Sequence, residues 1–599
     1  MPTAPRLLDG TPLEAHSVLF LALRRLRLPL MVIVLAYASS VFGFTLIAGV
    51  TPDGVPTTPM SFFHAFYFVS YTATTIGFGE VPQAFSDAQR MWTMVVIHLT
   101  VVSWTFALLN VLALFQDHGF QRAVAQIRFA GRVRRMREPF HLICGAGDSG
   151  QRLVRLLDRL HLRVVVVEGD RQRVDDLELE DLSTDVPVLH AEVGLAQTLL
   201  TAGLRHPMCR AVLAITSTDE SNLAVVTAVR LLNRRLPVIA GAESPHTVEN
   251  MCAFEPYKVI SPFETFADNL LLAMRAPGCY RLLDWLTAPP DAELEKEHEP
   301  PRGAWVICGH GRFGTAVSRS LIAAGLRVTA IDPAYADSDP DPPEGVPIRV
   351  RGAGTERAVL ERAAIGKAAG LVVATDNDIT NLAIAALART LNPTLFVVLR
   401  QNDAVNRVLF DSFHADLVMR ASEIIADECV ALLTTPLLDR FLAIVREHDD
   451  AWADEVIDRL RERVGTRSPQ IWALRIDDEQ APAVCERLAV GPPETPVVLP
   501  LGDLLREPGD RQAPIAARAV LLLRDGRDLL MPSDELPLKA DDRILFVGRG
   551  EARRRQALSL FDANVLRYVC TGRDTPGGWL FTRRPAGGPS PGDDRGAFR

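Results

Sequence analysis

Three short stretches of this sequence combine residue types and spacings that suit a defined chemistry. The first is Thr74-Thr75-Ile76-Gly77-Phe78-Gly79-Glu80. Glycine at alternate positions opens backbone conformations closed to other residues. A strand of alternating handedness turns successive carbonyls to one side, and rings of such carbonyls from several chains replace the hydration shell of a cation. The second and third stretches are Gly-x-Gly-x-x-Gly loops, Gly145, Gly147 and Gly150 in one and Gly309, Gly311 and Gly314 in the other. Each follows an apolar strand and precedes a helical pattern. Each is followed by a second apolar strand ending in an acid, Glu168 or Asp332, in both cases 23 residues after the first glycine. Such glycines let a pyrophosphate approach a helix N-terminus, and the acid accepts hydrogen bonds from ribose hydroxyls. An acid there favours NAD or an adenosine nucleotide over NADP.

The elements that must position the first stretch are apolar. Leu28–Val50 and Met91–Phe115 contain no Asp, Glu, Lys or Arg, and about 20 apolar residues span a bilayer as a helix. Arg24, Arg25 and Arg27 precede the first span, and Arg122, Arg128, Arg132, Arg134, Arg135 and Arg137 follow the second. The intervening loop has Arg90 against Asp53, Glu80 and Asp87. The positive-inside rule then places both termini in the cytoplasm and residues 51–90 outside. Within that loop, Thr58-Pro59 reads as a helix start. The aromatic run Ser61–Thr72 that follows is too short to span and suits a re-entrant half-helix buried in protein. Its negative C-terminal end faces a cation path. Of the two spans, only the second lacks glycine, so a gating bend there needs another origin, such as Ser103 or Thr105. His98 in that span reads as a packed or helix-bonded histidine.

The two glycine loops belong to an internal repeat. Its offset is 164 residues at the loops and 159 further on, where Thr216, Asp219 and Asn222 match Thr375, Asp378 and Asn381, and Glu264 and Asp268 match Glu423 and Asp427. Two copies in the same strand–loop–helix setting point to two Rossmann-like units. They differ in charge: Asp148 opposes a phosphate in the first loop, whereas His310 and Arg312 attract one in the second. On charge alone the second copy is the better site.

The segment from the first span to the second resembles the potassium-channel unit, with Thr75, Ile76, Gly77, Phe78 and Gly79 on the filter positions of its T-V-G-Y-G-D signature. The resemblance implies K⁺ as the permeant ion and a tetrameric pore. Phe78 replaces the signature Tyr and loses a hydroxyl that ties the filter to its surround, and Glu80 replaces Asp. The pore followed by two Gly-loop repeats is similar to prokaryotic potassium channels with tandem RCK domains (regulators of potassium conductance) of the GsuK/MthK type. That implies a homotetramer in the plasma membrane with a cytoplasmic gating ring of eight RCK domains, regulated by NAD, another adenine nucleotide or Ca²⁺. The expected fold is therefore a membrane α-helical pore with two transmembrane helices and a re-entrant pore helix, then tandem α/β Rossmann-like domains and a small α+β C-terminal lobe. The expected boundaries are 1–115 for the N-terminal segment and pore, 116–138 for a basic linker, 139–290 and 302–440 for the two RCK domains, 441–560 for the lobe and 571–599 for a disordered tail. Residues 291–301 read as a charged linker between the repeats, and 440–460 as helix.

Composition agrees with this plan and narrows the alternatives. The chain has 599 residues, 48% hydrophobic and 23% charged, with a net charge of −9 and a mean hydropathy of +0.12. That excludes a wholly disordered chain and a surface that generally coats nucleic acid. Eight cysteines without a CxxC pair suggest neither a disulfide scaffold nor a zinc site. Glu168, Asp170, Glu192, Asp219 and Glu220 lack a recognisable cation-ligand spacing and read as solvated surface. A membrane-anchored NAD-dependent oxidoreductase would explain the glycine loops but not the filter, and no acid–base pair for such a reaction is apparent. A non-conducting nucleotide-sensing subunit would rest on Phe78, Glu80 and the missing hinge glycine.

Overall fold

The computed structural model describes residues 15–51, 55–80, 84–288, 299–336, 343, 345–489 and 498–573. Most of the expected 291–301 linker and nearly all of the 571–599 tail lie outside the described residues. The chain divides into two compact units, the first built mainly of residues up to 137 and the second mainly of residues from 138 onward.

In the first unit an outer helix, Ala15–Leu46, is followed by a two-stranded antiparallel hairpin, a pore helix Phe62–Ala73, an inner helix Asp87–Gln116 and a further helix His118–Arg134. The apolar stretches of the outer and inner helices are only 28% and 22% buried. Helices this apolar and this uncovered fit an apolar surround better than the core of a soluble domain. Two expectations are corrected here. The outer helix ends at Leu46, and Ala48–Val50 is a strand; hydropathy reads the apolar run but not where its backbone changes. Thr58-Pro59 does not start the pore helix, because Pro56–Pro59 pairs with Ala48–Val50. Prolines are tolerated in such a two-stranded edge. The cap is Ser61, whose hydroxyl accepts the His64 N–H at 3.4 Å.

The outer and inner helices are locked together near the hairpin. Ser86 and Gln89 form a capping box at the inner helix N-terminus, which satisfies two otherwise free donors. Gln89 also donates to the Ile47 carbonyl at 3.2 Å, and Trp92 donates to the Ser40 carbonyl at 3.1 Å. Gly43 makes room for that indole: a Cβ there would lie 2.1 Å from the Trp92 ring. Val41, Phe44, Ala65, Phe68, Tyr71, Phe85 and Val96 complete one buried cluster that seats the pore helix between the long helices. His98 bonds to the Met94 carbonyl of its own helix at 2.7 Å.

From residue 138 onward the chain forms two six-stranded sheets and a four-stranded one. The first sheet comprises Phe140–Cys144, Arg163–Glu168, Val188–His190, Cys209–Ala214, Val238–Gly241 and Lys258–Ile260. The second comprises Trp305–Cys308, Val328–Asp332, Ile348–Arg351, Gly370–Val373, Phe396–Gln401 and Leu417–Arg420. Both run in the order 3-2-1-4-5-6, with parallel pairing in the second throughout and across strands 2-1-4-5-6 of the first. This is the doubly wound order, whose crevice opens beside strand 1 at its carboxyl end. Near-continuous burial of strands such as Val164–Glu168 reflects helices on both faces.

The two repeats exchange helices. Helix Pro262–Arg275, which ends the first repeat, packs on helix Arg312–Ala323 of the second, and helix Ala421–Thr434, which ends the second, packs on helix Asp148–Arg159 of the first. Phe313, 1% exposed, meets Phe263 and Phe266 at ring distances of 5.6 and 5.5 Å. Arg152 bonds Glu423 and Asp427, each at 3.2 Å. The stretch expected as one helix over 440–460 is two, Pro436–Val445 and Asp450–Val464. Asp449 caps the second through the Trp452 N–H, and Asp450 reaches the Gly278 N–H at 2.8 Å. The C-terminal sheet is antiparallel. Its core extends past residue 560, because Leu566 of helix Ala563–Thr571 packs into it.

Candidate pore and nucleotide sites

The glycine-containing loop after the pore helix has the alternation that its sequence implies. Thr75, Gly77 and Gly79 have φ of +61°, +66° and +92°, while Ile76 and Phe78 between them keep the ordinary sign. A Cβ on Gly77 or Gly79 would touch no atom of this chain. Glycine is needed there for its φ, not for space. The loop begins at the C-terminal end of Phe62–Ala73, where Thr74 closes the last turn by donating to the Ser70 carbonyl at 3.1 Å. No basic side chain offsets the dipole in that turn, so the negative helix end is directed at the loop.

Side chains from the pore helix and from the start of the inner helix hold this loop. Tyr71, on the pore helix, donates its hydroxyl to the Gly79 carbonyl at 2.6 Å. Phe78 lies edge-on to Tyr71 at 5.3 Å and stacks on Tyr67 at 6.4 Å. The hydroxyl that Phe78 lacks is thus supplied to this loop by Tyr71 on the preceding helix. The cue was Tyr71 in the aromatic run, but its direction depends on helix phase. Arg90, at the start of the inner helix, pairs with Glu80 at 2.9 Å. Glu80 also accepts the Phe85 N–H at 2.8 Å. The Arg90 hydrogen bond, with help from that amide, holds the Glu80 carboxyl below its usual range.

The two glycine loops have matching frames. Gly145 and Gly309 have φ of +109° and +92°. A Cβ on Gly150 or Gly314 would lie 2.0 Å from the carbonyl oxygen of Gly145 or Gly309, so the first and third glycines are required by the turn itself. The acids serve the turn as well. Glu168 accepts the N–H groups of Ala146 and Asp170, and Asp332 accepts those of His310 at 2.7 Å and Ala334 at 2.8 Å. Each carboxylate ties its loop to the end of the second strand and keeps lone pairs for a ribose. Neither following helix has a side-chain cap, which leaves the N–H groups of its first turn available to an anion. At the strand ends, Cys144 and Cys308 are buried thiols; burial pushes Cys308 up to about 12 and Cys144 higher still.

The other repeated residues do structural work. Asn222 and Asn381 bridge the fourth and fifth strands, each accepting from the threonine at position 216 or 375 and donating to the Gly241 or Arg400 carbonyl at 2.9 and 2.8 Å. Asp219 accepts the N–H groups of Glu243 and Ser244, each at 2.9 Å. Its carboxylate is thus committed to backbone. Among the described residues no group of three or more His, Cys, Asp or Glu is arranged to hold a metal.

The loops differ in what surrounds them. In the first, the Arg173 guanidinium lies 3.3 Å from where a Gly147 Cβ would be, and Asp148 accepts the Ala404 N–H from the second repeat at 3.1 Å. In the second, nothing lies within 4 Å of the corresponding point at Gly311. Arg312 pairs with Glu243 of the first repeat at 2.8 Å. The His310 and Tyr335 rings are 5.9 Å apart, and Nε2 of the one and the hydroxyl of the other are buried without a hydrogen-bond partner. Burial holds His310 below its usual range and pushes Tyr335 up to about 12. The residues of the second loop fit a nucleotide: an open middle glycine, a ribose acid and unsatisfied polar atoms on one edge.

Comparison with known proteins divides the chain in the same way. Residues 30–117 match the ion channel family, and residues 141–262 and 305–421 each match the TrkA-N domain. Potassium channel protein 1 of Methanocaldococcus jannaschii is 21% identical over 34% of this chain and 59% of its own length. A Trk system potassium uptake protein TrkA homolog of Pyrococcus abyssi is 30% identical over 23% of this chain and 63% of its own. The chain thus spans less than two thirds of either relative. Among solved structures, the GsuK channel covers 93% of this chain at 18% identity and a TM-score of 0.42, and GsuK bound to ADP covers 69% at 21% and 0.40. By its two family matches, the chain joins an ion-channel domain to two TrkA-N domains.

Proposed function

We propose that four copies of this chain form a potassium-selective channel in the plasma membrane, gated by an adenine nucleotide or NAD bound to a cytoplasmic ring of eight RCK domains. The observation that carries the reading is the sign-alternating backbone of Thr75–Gly79 at the C-terminal end of a short pore helix. In a tetramer that backbone supplies stacked rings of carbonyls matched to a dehydrated cation, and the helix end lowers the energy of positive charge in front of it. Thr75, Ile76, Gly77, Phe78 and Gly79 are the proposed filter. Both termini lie on the cytoplasmic side in this reading, as the flanking arginines require.

In the ring, the loop residues Gly309, His310, Gly311, Arg312, Gly314 and Asp332 of the second repeat are the proposed nucleotide contacts. A nucleotide shifts the closed–open balance only by its differential affinity for the two states, typically about 1–3 kcal/mol of coupling. The chain catalyses no reaction in this account. The test is K⁺ flux into liposomes holding the purified protein, with and without ADP, NAD⁺ and NADH. K⁺-selective flux that a nucleotide changes is the expected result. Absence of K⁺ flux from folded tetramer under every condition would overturn the pore.

A further inference from the structure

We infer that each chain takes one adenine nucleotide, in the second repeat, and that the glycine loop of the first repeat is a closed structural turn. The inference rests on the nucleotide reading above and adds where the ligand sits and what recognises it.

The middle glycines decide the matter. The first and third glycines of both loops are explained by the chain's own backbone, but the middle one is not. At Gly311 nothing lies within 4 Å of a notional Cβ, and its φ of −75° is open to any residue. No protein atom requires glycine there, so the space is left for something else. It adjoins the uncapped N-terminus of helix Arg312–Ala323, where a pyrophosphate gains donors and a favourable dipole. In the first repeat the same space is occupied by the Arg173 guanidinium. Asp148 adds a carboxylate to that helix start, held by the Ala404 N–H, and Glu168 is only 6% exposed.

The adenosine end of the second site is marked by a different observation. His310 Nε2 and the Tyr335 hydroxyl are buried without partners, beside Asp332, and the Arg349 guanidinium lies 5.6 Å from the Tyr335 ring centre. Buried polar atoms left unpaired are costly. These two lie at the carboxyl ends of the strands, where the ribose and base of a nucleotide would run, and offer hydrogen bonds to its heteroatoms. At the equivalent positions the first repeat has Ala146 and Arg171, which provide neither group. Arg312, now paired with Glu243 of the first repeat, is the first residue of that helix and puts a cation where a phosphate would sit. A phosphate competing for Arg312 frees Glu243, which couples occupancy to the contact between the repeats.

Calorimetric titration of the purified full-length protein with ADP and with NAD⁺ tests this. One nucleotide per chain is expected. Gly311→Ala leaves the melting temperature of the free protein unchanged and weakens binding by about tenfold or more, whereas Gly147→Ala leaves affinity within roughly twofold. Tyr335→Phe removes one hydrogen bond and weakens binding by up to about tenfold. Two nucleotides per chain, or equal losses from Gly147→Ala and Gly311→Ala, would overturn the assignment while keeping the nucleotide reading. Wild-type protein that binds neither probe would overturn both.

Discussion

Tyr71 shows how one hydroxyl compensates for another. Its bond to the Gly79 carbonyl restrains a backbone that has three positive φ values in five residues. Tyr71→Phe keeps the ring contacts with Phe78 and removes about 1 kcal/mol, roughly a fivefold shift between ordered and collapsed filter. The expected outcome is a lower K⁺/Na⁺ permeability ratio and faster loss of current when external K⁺ is lowered, with Phe78→Tyr in the same protein restoring part of both. Unchanged permeability ratios and current decay in Tyr71→Phe would show that the bond is idle. Glu80 makes a second prediction at this scale. Its carboxyl is held below the usual value by Arg90 and the Phe85 amide, so its ties are intact above that value. They are lost as external pH falls through the lowered folded value. Current should therefore decline in acid on the outer side, and Glu80→Gln should remove that pH dependence.

At the scale of elements, the exchanged helices hold the two repeats together. Phe313 is fully packed between Phe263 and Phe266, and Phe313→Ala should cost about 3–5 kcal/mol, read as a lower melting temperature. Arg152, on the opposite pairing, is partly solvated, so Arg152→Ala should cost only about 1 kcal/mol. The contrast checks that apolar packing dominates over the ion pairs there. The repeated Glu264, Glu423 and Asp427 become intelligible here. Their spacing marked a repeat, but only the packing shows that Glu264 meets Arg319 and that Glu423 and Asp427 meet Arg152 across the exchanged helices.

For the whole molecule, the reading joins a pore of about 90 residues to a much larger regulatory part. Gly77→Ala forces a residue with a Cβ to a φ of +66°, costing about 1 kcal/mol or more at each copy around the pore. It should abolish K⁺ flux while leaving nucleotide binding unchanged. Retained flux would exclude Thr75–Gly79 as the ion path. Loss of both would mean that the substitution unfolds the protein and that flux alone is not diagnostic.

Much of this plan was legible in the residues because it depends on local rules. Two long uncharged runs, alternate glycines and two Gly-x-Gly-x-x-Gly loops with acids at equal spacing each express a short-range constraint: bilayer thickness, allowed φ, or the tightness of a strand–helix turn. The positions that escaped the sequence are those set by contacts between distant segments. Ser61, not Thr58, starts the pore helix because a hairpin claims Pro56–Pro59. Tyr71 faces Gly79 because of helix phase. Arg173 covers one glycine loop while its counterpart stays open, which reverses no spacing and leaves no trace in the motif. His310 looked like a phosphate-binding charge. Burial beside Tyr335 instead favours its neutral form and leaves it an unsatisfied donor or acceptor. Sequence alone set the elements and their repeat, because those follow from neighbours along the chain. Which glycine loop is open, and which hydroxyl holds Thr75–Gly79, was decided by tertiary packing, because only that packing determines what occupies the space next to each residue.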